Sequence, residues 1–319
     1  MALTLAASAV TVSAAAAPQP AAPTGRDDIV YQSASVEITL AQFSGRGTHS
    51  PTRSVKGSNQ TNPDWSPDGA RLVYANTEPD GTEALWIVNA NGSGATRLVD
   101  CADPCRWLDD PAWSPDGASI LYSRMSEQGG VSTGTLETVD VRTGSTRIVL
   151  DSGTATRFFA GQRWSPDGTR IVLEYVRKVG PSADAEVDRV DLMIVDLAVS
   201  PPSLTQITDS DLWPATADWS PDGTEIVYSA LPSADAENPD LFTVRPDGSG
   251  PRRLTTLAES GGVAIHPDYS QDGRSVLFFA YDGSTDTAGL ARVQQAGGDV
   301  SPAFATGYRI GFHPRDRPR

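Results

Sequence analysis

Asp64, Asp218 and Asp268 each stand one residue before an aromatic side chain, Trp65, Trp219 and Tyr269, in well-separated parts of a 319-residue chain. If these segments are equivalent strands around one tunnel, the three carboxylates face each other, repel, and raise one another's pKa unless a cation neutralises them. An all-oxygen donor set of this kind suits calcium better than a softer metal. Calcium is therefore the one cofactor suggested, with Asp64, Asp218 and Asp268 as its ligands. Arg163, one residue before Trp164, is a rival neutraliser. Three places before the same aromatics stand Asn62, Asp110, Gly161, Thr216 and His266, with Arg309 at a degenerate sixth site. Asn62, Asp64, Asp110, Arg163, Asp218, His266, Asp268 and Arg309 are thus the candidate ligand-binding residues, although the ordinary work of polar tunnel residues is to order water.

Catalytic chemistry is thinly supplied. The histidines are His49, His266 and His313. No Gly-x-Ser-x-Gly nucleophile elbow occurs, and the many glycine pairs read as hairpins, not phosphate cradles. No residue is assigned a catalytic role. Cys101 and Cys105, in "VDCADPCRW", lack the partners of a zinc site and are one residue too far apart for the usual redox motif; in an exported chain they are expected to form a small-loop disulfide.

The elements that must position these groups are announced by one pentapeptide. "WSPDG" begins at Trp65, Trp113, Trp164 and Trp219, and "YSQDG" at Tyr269, at intervals of 48, 51, 55 and 50 residues. In "DPAWSPDGASILYSR" a short extended run enters a turn whose proline presets φ and whose glycine takes the left-handed position, and a β-branched strand leaves it. A third strand follows, as in "ALWIVNA" and "DLFTVRP", then a glycine turn and a fourth. Four strands per period of about 50 residues make one propeller blade. Such a sheet cannot bury both faces alone, so blades must stack. The repeated tryptophan is then a wedge between sheets rather than a platform for sugar rings. At the C-terminus, Phe312 and Pro314 begin a sixth unit, and the N-terminal "GRDDIVYQSASVEITLAQF…" resembles its other three strands. The expected fold is an all-β, six-bladed propeller over 27–319, closed by the C-terminal strand joining the N-terminal three.

The "WSPDG" turns, the strand after each, and the "NANGSG" and "RPDGSG" turns resemble the propeller repeats of the TolB family. The resemblance covers about residues 27–319 and implies a six-bladed propeller that binds other proteins across and into its mouth, in the periplasm. The expectation here is a stand-alone propeller, without the α/β domain that precedes the propeller in TolB. Similar repeats gate prolyl oligopeptidase-like enzymes and form oligogalacturonate lyases, so the alternative function is a carbohydrate-active lyase or hydrolase at the channel mouth.

Residues 1–26 read as a signal peptide or an Ala/Pro-rich tail: "MALTLAASAVTVSAAAA" is apolar or small throughout, and cleavage after Ala16 satisfies the small-x-small rule. The expected location is periplasmic, cell-envelope or secreted. A formal net charge of -15 repels nucleic acid and anionic membrane surfaces, and no stretch is long and apolar enough to span a bilayer. The expected protein is a monomeric scaffold whose partner is a protein or envelope polymer. Two acidic insertions between second and third strands, 181–191 and 232–240, are the leading candidates for contact with that partner.

Overall fold

A computed structural model describes residues 29–32, 38–41, 50–52, 58–208, 211–270 and 272–304. Strands β1 (Ile29–Gln32) and β2 (Ile38–Ala41) form a two-stranded antiparallel sheet. Five four-stranded antiparallel blades follow. Blade 1 holds β3 (Asn59–Trp65), β4 (Arg71–Thr77), β5 (Glu83–Asn89) and β6 (Thr96–Asp100). Blade 2 holds β7 (Cys105–Trp113), β8 (Ser119–Gln128), β9 (Val131–Asp140) and β10 (Thr146–Asp151). Blade 3 holds β11 (Arg157–Trp164), β12 (Arg170–Lys178), β13 (Val187–Asp196) and β14 (Ser203–Gln206). Blade 4 holds β15 (Ala215–Trp219), β16 (Ile226–Ala230), β17 (Asp240–Val244) and the two-residue β18 (Arg252–Arg253), followed by a 3-10 turn at Leu257–Ser260. Blade 5 holds β19 (Val263–Tyr269), β20 (Ser275–Asp282), β21 (Thr287–Gln294) and β22 (Ser301–Phe304).

The described residues thus contain five complete blades, not the six expected. Of the expected closing blade they hold two strands, β1 and β2, which pack on β3; residues 305–319, with Arg309, Phe312 and His313, lie outside the described residues, as do His49 and residues 1–26, read as a signal peptide or tail. Inner strands pack from blade to blade in sequence, β3 on β7, β7 on β11, β11 on β15 and β15 on β19, which places the motif-bearing strand nearest the axis.

The pentapeptide turn is built the same way five times. The motif serine Oγ donates to the Oδ1 of the motif aspartate at 2.5–2.8 Å, and that oxygen also accepts the N–H two residues on. The glycine N–H donates to the serine carbonyl, with glycine φ between 65° and 70°. Each motif proline rests on the next blade's motif glycine: a Cβ added at Gly117, Gly168, Gly223 or Gly273 would lie 3.6–3.8 Å from Pro67, Pro115, Pro166 or Pro221. The motif tryptophans wedge between sheets as expected. Trp113 and Trp219 are each 4% exposed in clusters shared by successive blades, beneath the guanidinium groups of Arg71 and Arg170. The turn does structural work: it joins strands and ties each blade to the next.

Candidate functional site

The channel strands do not alternate as simple strands. In every blade the pairing of the first and second strands breaks at an equivalent place, between Thr61 and Asp64, Asp109 and Ala112, Ala160 and Arg163, Ala215 and Asp218, and Ile265 and Asp268, with a further shift in blade 2 between Cys105 and Trp107. The first residue of each break, Asn62, Asp110, Gly161, Thr216 or His266, is left-handed, with φ between 49° and 58°. Prolines occupy the second place in three blades (Pro63, Pro111, Pro267), where an N–H would have no ladder partner. The two candidate rings are therefore separated by a bulge, and the even alternation expected to put both on one face does not hold.

The bulge turns one backbone N–H toward the preceding blade, and a side chain there accepts it. Asp110 Oδ2 accepts from Gly161 N at 2.7 Å, and Thr216 Oγ1 from His266 N at 3.3 Å. Gly161 has no side chain to offer Thr216, and Glu174 of β12 takes its place: Glu174 Oε1 accepts from Thr216 N at 2.6 Å and lies 2.5 Å from where a Cβ on Gly161 would be. Asn62 joins the same series by donating its Nδ2 to Asp110 Oδ1 and to Asp109 Oδ1, both at 2.7 Å. Sequence reasoning missed Glu174 because it belongs to a different strand from the ring it completes.

The second ring works likewise. Asp64 Oδ2 accepts from Trp113 N at 2.7 Å and Asp218 Oδ2 from Tyr269 N at 2.9 Å. Asp268, facing the channel, is exposed, and Arg163 donates to its neighbour's carbonyl, Gln162 O, at 2.9 Å. Enclosure by the fold pushes Asp64 up to about 6, against the pull of Arg163 and the Trp113 N–H. Enclosure pushes Asp218 up to about 7, with the Asp268 charge adding to the rise. Asp268 is also raised, by desolvation opposed by Arg163 and His266. Loss of water works against the Arg163 charge, but Asp64, Asp268, Asp110 and Asp218 together outweigh it and hold the guanidinium protonated.

Among the described residues no three histidine, cysteine, aspartate or glutamate side chains are disposed to hold a metal ion. Asp64 and Asp218 each aim an oxygen at a backbone N–H of the following blade, and the charges of both act on Arg163. Cys101 and Cys105 form the expected disulfide, with Cα atoms 5.1 Å apart.

These shifts set the pH profile of stability. The five motif aspartates, Asp68, Asp116, Asp167, Asp222 and Asp272, sit below the usual carboxylate range; the motif serine hydroxyl is the leading cause in the first four and the Arg274 N–H in the fifth. Their contribution is present above the unfolded pKa of about 3.9 and is lost as pH falls through the folded values. Asp64 and Asp218 have the opposite sign. Folding binds protons between about pH 4 and pH 7, so their contribution is largest below the unfolded pKa and disappears as pH rises through 6 to 7. The melting temperature is expected to peak between about pH 4 and 6, and Asp218→Asn to raise stability at pH 8 by about 1–2 kcal/mol after screening by channel solvent. Thermal melts of both proteins across pH 3–9 check this; an unchanged alkaline limb in the variant contradicts it.

The first acidic insertion differs from a free loop. It runs between β12 and β13 and lies across blade 2: Pro181 O accepts from the backbone N–H and hydroxyl of Ser132, and Ala183 N donates to Glu127 Oε2 at 2.8 Å. The buried Lys178 ties it down through Ser132 Oγ and Ser182 O. Its Asp184 and Glu186 remain exposed, as do Asp235 and Glu237 in the second insertion. Both insertions stand on one face, the upper face, opposite the pentapeptide turns.

No family model matches the chain, and no curated protein matches its sequence. Solved structures match its fold. TolB from Acinetobacter baumannii superposes with a TM-score of 0.66 at 16% identity over 88% of this chain, which spans 64% of that protein's length. A putative TolB from Agrobacterium tumefaciens gives 0.60 at 22% identity, covering 82% of this chain and 86% of that one. An oligogalacturonate lyase in complex with manganese gives 0.60 at 14% identity, covering 88% and 74%. The blades, the bulged channel strands and these superpositions establish a β-propeller of the architecture that TolB and the lyase share.

Proposed function

We propose that the chain is an exported binding propeller that takes a protein or cell-envelope polymer through its upper face and performs no chemistry of its own. The observation that carries this reading is the commitment of the channel's polar groups to holding blades together: Asp64, Asp110, Glu174, Thr216 and Asp218 each accept a backbone N–H from the following blade. A reactive group must be free to meet substrate, whereas these are fixed on structural donors. The upper face supports the binding half of the reading, because its long β12–β13 insertion is anchored by Lys178 and Glu127 while presenting exposed acids. The Cys101–Cys105 disulfide and the N-terminal apolar run support export. Likeness to TolB supports a protein partner, and likeness to the oligogalacturonate lyase supports the rival reading of an enzyme acting on an acidic polysaccharide.

A photo-reactive residue placed at Asp184 or Asp235 in the full chain, expressed in cells that export it, is expected to capture a discrete partner, while the same residue at Asp167 on the opposite face is not. In parallel, purified protein incubated with acidic polysaccharides is expected to give no rise in absorbance from unsaturated products. Turnover that disappears in His266→Ala would replace the binding reading with the lyase.

A further inference from the structure

The seven tryptophans divide unevenly. Trp65, Trp86, Trp107, Trp113, Trp164 and Trp219 all pack into apolar clusters. Trp213 joins none of those clusters and is half-buried. Its backbone is left-handed, with φ 51°. Five of the other non-glycine or glycine positions in that region are the repeated channel bulges, and Asp286 is a short polar residue in a turn; a bulky aromatic outside both categories is strained and needs surrounding structure to hold it.

Trp213 lines a half-open notch of about 110 Å³ on the upper face, with Asp188, Arg189, Val190 and Asp211. The charged groups around it are already paired. Arg189 makes a two-pronged contact with Asp191, through Nε at 2.7 Å and Nη2 at 3.1 Å, and reaches Asp211 at 3.5 Å. Asp188 accepts from Arg177 Nε at 3.0 and 3.1 Å. The wall is therefore a fixed row of hydrogen-bond donors and acceptors with little unbalanced charge, beside an aromatic ring. The Asp211 side chain, 88% exposed, retains acceptor capacity.

We infer that the Trp213 notch is a binding subsite for a neutral glycan unit, whose apolar ring face lies on the indole and whose hydroxyls meet Asp211, Asp188 and Arg189. An aromatic body with a polar tip, next to charge-paired carboxylate and guanidinium groups, matches a ligand that is apolar on its faces and hydroxylated at its edge. The size of the notch admits one sugar edge and excludes burial of a whole chain. The acidity of the molecule, a net charge of -15, disfavours uronate units. The sugar-platform role is closed to Trp113 and Trp219 by burial and opposed in the half-buried Trp65 and Trp164 by packing against apolar clusters, and Trp213 is placed to take it. This inference rests on the envelope-polymer half of the proposed function and supplies its chemistry.

Calorimetric titration of the full-length protein with maltotetraose, cellotetraose and chitotetraose, and with tetragalacturonate as the charged control, tests it. Saturable millimolar or tighter binding is expected for at least one neutral saccharide, with weaker binding of the uronate. Trp213→Ala is expected to weaken that binding by about tenfold or more, and Trp213→Tyr to keep most of it. Trp213→Gly, which suits the left-handed backbone, is expected to lose binding without a lower melting temperature, separating loss of the platform from loss of the fold. No saturable heat with any neutral saccharide, or full affinity in Trp213→Ala, would overturn the inference. A protein captured at Asp184 or Asp235 despite such a negative result would leave the binding propeller standing and remove only its glycan ligand.

Discussion

Asp240→Ala is expected to lower the free energy of unfolding by about 3–5 kcal/mol, the largest loss from any single side chain in blade 4. Asp240 is fully buried at the start of β17. Its Oδ1 accepts from Thr255 Oγ1 at 2.7 Å and Leu257 N at 2.8 Å, and its Oδ2 from Arg253 Nη2 at 2.6 Å, Arg253 Nε at 3.2 Å and Ala258 N at 3.4 Å. The outer strand β18 is only two residues long, so the ladder itself holds this edge weakly, and the carboxylate fastens both the strand and the 3-10 turn that leads to blade 5. Truncation leaves two half-buried N–H groups and a buried hydroxyl without this acceptor, and leaves Arg253, only 28% exposed, with Glu259 as its remaining carboxylate. Asp240→Asn is expected to cost nearly as much, since an amide must turn a donor toward donors already in place. Urea unfolding of both variants measures the loss; a cost below about 1 kcal/mol would show that solvent or neighbouring carbonyls replace the carboxylate.

The second large effect concerns the exchange between Gly161 and Glu174. Gly161→Asp alone is expected to destabilise by about 2–4 kcal/mol, because its Cβ would be built 2.5 Å from Glu174 Oε1 and a second carboxylate would share the site. Glu174→Ala alone is expected to cost about 1–3 kcal/mol by leaving Thr216 N without its acceptor. The double variant restores the arrangement that blade 2 already uses, with Asp110 accepting from Gly161 N, and is expected to recover at least half of the summed loss. A double-mutant cycle of melting or urea data decides it. Strictly additive losses would mean that Glu174 does not stand in for the missing side chain.

How much of this was legible follows from what repeats. The pentapeptide repeats, so the four-strand blade, the inward first strand and the two special positions in it could be located from sequence. The Cys101–Cys105 bridge was legible too, because a five-residue span forces proximity. The bulge was not, since its left-handed residue is Asn, Asp, Gly, Thr or His in successive blades and only the first three advertise that conformation. Glu174 was hidden because its role is defined by an absence on another strand. Trp213 lies between blades, where periodicity carries no information. The acids of the channel were found by register, but the N–H groups their oxygens meet were not, because register fixes the ring a side chain belongs to and leaves open which way its oxygens turn. The count of blades was set too high at six: the described residues hold five, and β1 and β2 pair only with each other.

The handholds between blades have a direction. In every pair the accepting side chain belongs to the earlier blade and the donated N–H to the later one: Asp64 to Trp113, Asp110 to Gly161, Glu174 to Thr216, Thr216 to His266 and Asp218 to Tyr269. A chain emerging from the ribosome therefore displays each set of acceptors before the strand that needs them exists. Each new first strand meets a finished template and can settle its bulge at once, so assembly can proceed vectorially with little backtracking. Traffic in the reverse sense is harder, because a later blade formed without its predecessor holds amide protons with nowhere to go. The propeller is thus a one-way zip in construction, and its blades are not interchangeable: blade 3 transplanted elsewhere would have to bring Gly161 and Glu174 together.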